Sequence, residues 1–377
     1  MNSKRIQSLD IIKGIAMLMV ILVHYNQTFA SEVRMFRFFQ MGCQLFFVAS
    51  GFVAAKSFLG KLSKSTFKEA SKEFYKARLA SIAPAWWIMI VIVYLSNSIS
   101  LCFLGRALNF GYNRSFFGIL CNVLFLNGLN PLCHNNVILG GWYIGTTMIL
   151  YLLTPLLISL FEKFNKKCVW LLVSIAAMLS IVSLYVVVRT FFPDLVYEAI
   201  TKNNSFVYFS FVSQLPSFSL GILLYYEKPL ECKSADKYKY FALGVLTLIL
   251  SINLFFHPRF PLSYIVTGVL VGIATYFILK AMIIYEQNKD IGKFFSPIIK
   301  VGKQSLYIYL VHGFFAYTFV YVCKYLLSSL NLTNDSHLIF FILIPIVLVL
   351  SYVFGTLLNK FTNNIVLPAI KHKRNPK

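Results

Sequence analysis

Acidic residues are scarce in this chain: 13 Asp and Glu stand against 35 Lys and Arg, a formal net charge of +22 over 377 residues. Charged residues of both signs make up only 13%, about half of the roughly 25% found in ordinary soluble domains, which excludes a soluble globular fold for the chain as a whole. Paired-cysteine signatures are also missing. The seven cysteines, at 43, 102, 121, 133, 168, 232 and 323, show no Cys-x-x-Cys spacing and no Cys/His cluster suited to zinc, so no metal site is expected. They read as small apolar packing residues, with a disulfide left open only among Cys102, Cys121 and Cys133, which share one segment. No tandem repeat, low-complexity linker or fused soluble domain interrupts the sequence, and residues 1–377 read as a single integral-membrane domain.

What is present is apolar: 58% hydrophobic and 17% aromatic residues, with a mean hydropathy of +0.71. Ten long apolar runs lie near 11–29, 38–58, 79–101, 141–161, 168–192, 205–226, 240–256, 262–285, 304–326 and 337–358. Runs of about 20 residues match the ~30 Å of hydrocarbon that a helix must cross, so the expected fold class is an all-α polytopic membrane protein. The first run follows Lys4 and Arg5 as a secretory leader would. It is long, interrupted by His24 and followed by no small-residue cleavage pattern, which makes it a retained first span.

With the N-terminus inside, 25 Lys and Arg fall in inner segments and six, namely Arg34, Arg37, Arg106, Arg114, Lys202 and Arg259, in outer ones. That asymmetry sets both termini inside, with ten spans; the expected location is the cell (cytoplasmic or inner) membrane, as a multi-pass protein. The positive charge is accounted for by topology and by anionic lipid headgroups, so the bilayer rather than nucleic acid is the expected partner. The short run 116–129 cannot be an eleventh span without reversing the charge bias and is read as a re-entrant or interfacial segment over the outer mouth. The inner stretch from Lys56 to Arg78 reads as a membrane-surface helix or as a mouth that receives a polyanion.

Polar side chains inside spans are costly and mark function by default. Lys13 and His24 are eleven residues apart on the first helix, about three turns plus 20°, so both project from one face about 16 Å apart along the axis. A lone histidine on such a helix can simply be a hydrogen-bonded packing residue. Paired with a same-face lysine, His24 is instead the candidate catalytic base, because a neutral imidazole can take the proton of an attacking hydroxyl. Lys13 sits where a cytosolic anion arrives, and Asp10 either pairs with it and orients it or caps the helix. On the second span, LFFVASGFVAAKSF holds Ser50 and Gly51, read either as close helix packing or as a thinning that admits a ligand. Arg78 heads YKARLASIAPAWW at the cytosolic boundary, a topology charge or a forked phosphate donor. His312 lies within the ninth span, in GKQSLYIYLVHGFF, and joins Trp142 as a lining residue. Arg189, Lys280 and Lys324 lie near span ends and are expected to snorkel; His134, His257, His337 and His372 fall in loops or at ends.

These residues resemble the acyltransferase-3 family of integral-membrane enzymes. The resemblance is carried by RIQSLDIIKGIAMLMVILVH, by FFVASGF, by the Arg78 to Pro84 segment, by WYIGTTMILYLLTPLL and by GKQSLYIYLVH, in order across nearly the whole chain. It departs from the family at Ser81, where a second arginine is common, and at Thr146 and Thr147, where many members carry a glutamate. The resemblance implies that His24 is the base, that Lys13 helps position the donor, and that an acyl group, acetyl first, passes from cytosolic acyl-CoA (acetyl-CoA) to a hydroxyl of a cell-surface or lipid-linked glycan handled at the outer side. No cofactor is expected to be bound permanently; acyl-CoA is a substrate, and envelope-biosynthesis proteins are expected partners. The competing reading is a glycan exporter or flippase without catalysis, which explains polar lining residues but gives no reason for a cation eleven positions before a histidine. A non-catalytic assembly partner is the third class, one in which His24 and Lys13 tolerate substitution.

Overall fold

Backbone amides buried in hydrocarbon must be satisfied within their own segment, and the chain answers with helices; no strand occurs among the described residues. The computed structural model describes residues 5–29, 33–104, 116–130, 133, 137–191, 206–258, 262–287, 289–329 and 337–368. Within these, ten helical stretches are long and apolar enough to cross a membrane. They coincide with the ten runs expected from hydropathy.

In chain order the elements are α1 (Gln7–Asn26), a 3-10 helix (Arg34–Met41), α2 (Gly42–Leu62), α3 (Phe67–Leu104), α4 (Phe116–Val123), α5 (Gly141–Lys163), α6 (Lys166–Phe191), α7 (Phe211–Tyr226), α8 (Asp236–Phe256), α9 (Ser263–Glu286), α10 (Gly292–Lys303), α11 (Ser305–Gly313), a π-helical stretch (Phe314–Phe319), α12 (Val320–Ser329) and α13 (His337–Phe361). The α2–α3, α5–α6, α7–α8 and α9–α11 links carry the lysines of the inner segments, which defines a lysine-rich face and an opposite face.

Burial sorts the spans. About two-thirds or more of the apolar window is buried in the spans built on α1, α2, α7 and α9, but only 17% in that of α6 and 11% in that of α8. The first group forms the centre of the bundle, and the second leaves its leucines and phenylalanines to lipid. Lipid tails are as apolar as leucine, so close helix contact in such a centre comes from small residues that let backbones meet. Gly51 of α2 and Gly221 of α7 do this: a Cβ on either would collide with a main-chain carbonyl of the other helix, that of Phe218 or of Val48.

Several expectations change in the folded chain. The basic stretch after Lys56 is no separate surface helix: α2 runs on to Leu62 and α3 starts at Phe67 as one 38-residue helix. A reciprocal Thr66–Glu69 capping pair starts α3, with the Thr66 amide donating to the Glu69 carboxylate at 3.1 Å and the Glu69 amide donating to Thr66 Oγ1 at 3.4 Å. The run 116–129 is indeed no span. It is the eight-residue α4 and a turn through Phe125 at φ 61°, held by Trp86 and Trp87, whose indole N–H groups donate to the carbonyls of Asn122 and Val123 at 2.8 and 3.0 Å. The loop after α9 contains α10, which lies against α1. Lys280 does not snorkel: it is buried, pairs with Glu227 at 2.5 Å and stacks 4.2 Å above Tyr240. Lys324 donates to the Thr28 carbonyl at 3.0 Å and lies 4.8 Å over the Phe29 ring. No disulfide joins the described cysteines, Cys102, Cys121 and Cys133 included. His134, His372 and the side chains of Arg189 and His337 lie outside the described residues.

Candidate active site

The site is organised on α1, whose height in the bundle is fixed at its N-terminus. Helices begin with unpaired amides and a partial positive charge, and here Glu286 from the end of α9 takes both. Its carboxylate accepts from the Gln7 and Ser8 amides at 2.7 and 2.9 Å and from the Ser8 hydroxyl at 2.6 Å. On the flank, Gly302 of α10 rests against the Asp10 carbonyl, where a Cβ would not fit.

Cations gather at this end. Arg5 grips Asp10 through two bonds of 2.6 and 2.9 Å, and the nearly fully buried carboxylate raises the Arg5 pKa above its usual value. Asp10 is therefore engaged by Arg5, and the expected Asp10–Lys13 pair gives way to it. Lys13, half-buried, stays within electrostatic reach of Arg5, Asp10 and Arg78. Arg78 lies between the rings of Phe74 and Tyr151, 5.2 Å from each centroid, and its buried Nε has no partner. Stacking fixes the guanidinium plane while leaving its donors uncommitted, a disposition suited to an arriving phosphate. Lys13 thus has two cations, Arg5 and Arg78, within electrostatic reach, while the Asp10 carboxylate is held by Arg5 and that of Glu286 by the start of α1.

At the far end of α1, about 16 Å along the axis by helical rise, His24 occupies the last turn. Its ring stacks on that of His312 from α11, with centroids 5.2 Å apart and planes 23° from parallel. His312 is fully buried. Its Nδ1 lies 2.5 Å from the Tyr309 carbonyl, and because a carbonyl only accepts, Nδ1 carries the proton and Nε2 keeps its lone pair. That Nε2 is buried without a partner. Tyr309 is anchored in turn: its hydroxyl donates to the Gly140 carbonyl at 2.8 Å. Gly140 stands at φ 74°, and a Cβ there would meet the Tyr309 hydroxyl as well as straining the backbone. His24 Nδ1 faces Gln27 Oε1 at 3.4 Å, and the same oxygen accepts from the Tyr317 hydroxyl in the π-helical stretch. An acceptor on Nδ1 leaves Nε2 of His24 as the basic nitrogen.

The residues singled out in the sequence thus part company. His24 and His312, from the first and ninth spans, come into ring contact; Lys13 and Arg78 lie within electrostatic reach of each other at the other end. Ser50 approaches the Tyr143 hydroxyl, and Tyr143 packs on Tyr309 at 5.0 Å, one ring removed from His312. Gly51 opens no space for a ligand, because α7 fills the volume its missing side chain leaves. Trp142 is a packed position, 4.5 Å from Phe209 and 6.0 Å from Tyr208. Sequence reasoning passed over Arg5, Gln27, Tyr309, Tyr317 and Glu286. Gln27 and Tyr309 each lie three residues from a histidine, on the same helix face, which is a readable signal; Arg5, Tyr317 and Glu286 come from outside that spacing and carried none.

Against protein-family profiles, residues 6–356 match the acyltransferase domain of that family. The chain belongs to the acyltransferase-3 family. The match runs from Ile6, just ahead of α1, through most of α13. Among curated relatives, O-acetyltransferase OatA of Staphylococcus aureus (strain NCTC 8325 / PS 47) is 24% identical over 332 residues, 82% of this chain and 50% of its own length. Regulator of hypoxia-inducible factor 1 of Caenorhabditis elegans is 30% identical over 140 residues, 34% of this chain and 24% of its own. The chain spans half or less of the length of these relatives. No solved structure matches this acyltransferase-3 chain.

Proposed function

We propose that this chain is a membrane O-acyltransferase that moves an acyl group, acetyl first, from acyl-CoA at the lysine-rich, cytosolic face to a hydroxyl of a saccharide presented at the opposite face of the cytoplasmic membrane. The observation that carries the reading is the stacked His24–His312 pair at one end of α1, with Lys13 and its neighbouring cations Arg5 and Arg78 at the other. Membership of the acyltransferase-3 family and the likeness to an O-acetyltransferase support it. The phosphates of the donor lie beside these cations and its thioester reaches toward the ring pair. His24 Nε2 removes the acceptor hydroxyl proton as the oxygen bonds to the thioester carbonyl carbon. The C–S bond then breaks, and the CoA thiolate takes the proton from the imidazolium. His312 holds the plane of the His24 ring. Lys13, Arg78 and Ser50 are binding residues in this reading, and Asp10 orients Arg5 rather than Lys13.

The test compares surface glycans, by mass spectrometry, from cells with the chain, without it and with His24→Ala. Base-labile acetyl is expected to vanish without the chain and to stay absent with the variant, at unchanged total glycan and membrane insertion. Loss of the glycan itself would instead identify an exporter.

A further inference from the structure

Just beyond His312 the ninth span leaves α-helical geometry: Phe314–Phe319 is π-helical, a rare turn that closes between i and i+5 rather than i and i+4. In an α-helix Tyr317, five residues after His312, would stand about 140° around the axis from it. The wider turn brings the two onto one side. His312 stacks on His24 at 5.2 Å, and the Tyr317 ring lies 5.9 Å from the same imidazole. Phe314, Phe315 and Phe319 of the same stretch turn the other way and line an apolar groove with Ile88 of α3 and Phe354 of α13. The π turn thus parts phenylalanines from a tyrosine and sets a phenol beside His24.

What the phenol does there is set by Gln27. This residue closes α1, its main-chain amide donating to the Val23 carbonyl at 3.2 Å, and it follows His24 by three positions, so both side chains leave one side of the helix. Its Oε1 lies 3.4 Å from His24 Nδ1 and accepts from the Tyr317 hydroxyl. The side chain is exposed, and a free carboxamide turns over readily, its oxygen and its NH2 being alike in shape and opposite in role. Oxygen toward the ring puts the imidazole proton on Nδ1 and leaves Nε2 its lone pair; NH2 toward the ring reverses both. The bond from Tyr317 selects the first arrangement.

We propose that Gln27 and Tyr317 are positioning residues for His24: the phenol, delivered by the π turn, holds the carboxamide oxygen on Nδ1 and so keeps Nε2 free to take the acceptor's proton. The hold on the ring stands on the geometry alone; that it serves acyl transfer rests on the reading above.

Two readouts on the full chain in nanodiscs separate the hold from the chemistry. Nitrogen NMR of ring-labelled histidine, with His24 assigned by its loss in His24→Ala, shows which nitrogen of the neutral ring carries the proton. Transfer from acetyl-CoA to glycan prepared from cells lacking the chain gives kcat and the donor KM. The parent is expected to hold the proton on Nδ1. Gln27→Leu and Tyr317→Phe are expected to move it toward Nε2 and to lower kcat, roughly 10- to 100-fold for Gln27→Leu and less for Tyr317→Phe, at unchanged donor KM. If Gln27→Leu does not fold, Tyr317→Phe, which removes a single oxygen, carries the test. An ionised carboxylate only accepts and has no wrong way round, so in a Gln27→Glu background Tyr317→Phe is expected to leave both the proton and kcat where Gln27→Glu alone has them; a tyrosine that merely packs would do the same damage in either background. A proton on Nε2 in the parent overturns the proposal, as does a proton that neither substitution moves, a moved proton at undiminished kcat, or a Tyr317→Phe loss that Gln27→Glu does not relieve. A parent with the proton on Nδ1 that transfers no acetyl would retain the hold on the ring and overturn the acyl-transfer reading alone.

Discussion

The two ends of α1 are built on opposite principles. At the lysine-rich end, Arg5, Lys13 and Arg78 are charged, and Arg78 is held by aromatic faces. At the other end, His24 and His312 are oriented by an amide side chain, a main-chain carbonyl and each other's rings. Charge attracts and holds a polyanion without needing exact placement; proton transfer needs placement within hydrogen-bond reach and a group that can change its protonation state. In the proposed reading one helix therefore separates the work of binding from the work of chemistry by about 16 Å.

Substitutions at the two ends should break differently. His24→Ala removes the base, and the turnover number for acyl transfer is expected to fall about 10²- to 10⁴-fold with acyl-CoA binding intact; a smaller change in kcat, measured under donor saturation, would move the chemistry off this ring. His312→Ala leaves the base and removes the ring that fixes its plane, so a loss of about 10- to 100-fold in kcat is expected, with the donor KM unchanged. Equal damage to kcat and donor KM would show that the two ends are not separate. Arg78→Lys keeps the charge and loses the stacked fork, raising the KM for acyl-CoA roughly tenfold at nearly constant kcat, with a salt dependence that His24 variants lack. Leu246→Ala on α8 is the control for both ends. That side chain is 64% exposed within a lipid-facing span, and thermal stability and rate are expected to stay within about 0.5 kcal/mol of the parent.

A second contrast, between the buried glycine seam and the site, bears on what could be read in advance. Ser-Gly in α2 admits packing and ligand readings equally well in sequence, since both need a thin helix. The folded chain decides for packing because Gly221 of α7 arrives at the same height. Asp10 behaves likewise: its spacing to Lys13 is right, yet Arg5 reaches it first, from a segment with no helical periodicity to announce it. His24 and His312 were each legible as intramembrane polar residues, but their contact spans 288 positions of sequence, the difference between the two residue numbers. No spacing rule covers such a distance.

By itself the sequence determined the all-helical class, the ten spans, the face that gathers lysines and the axial separation of Lys13 from His24. These follow from hydrocarbon thickness, the helical repeat and the cost of charge in lipid, all of which act locally. Only the tertiary structure decided that His312 stacks on His24, that Arg5 rather than Lys13 holds Asp10, that α7 closes over Gly51 and that the Tyr317 hydroxyl reaches Gln27. Each of these depends on which helices become neighbours, and lipid supplies no hydrophobic preference among them; small residues, single hydrogen bonds and ring contacts make the choice.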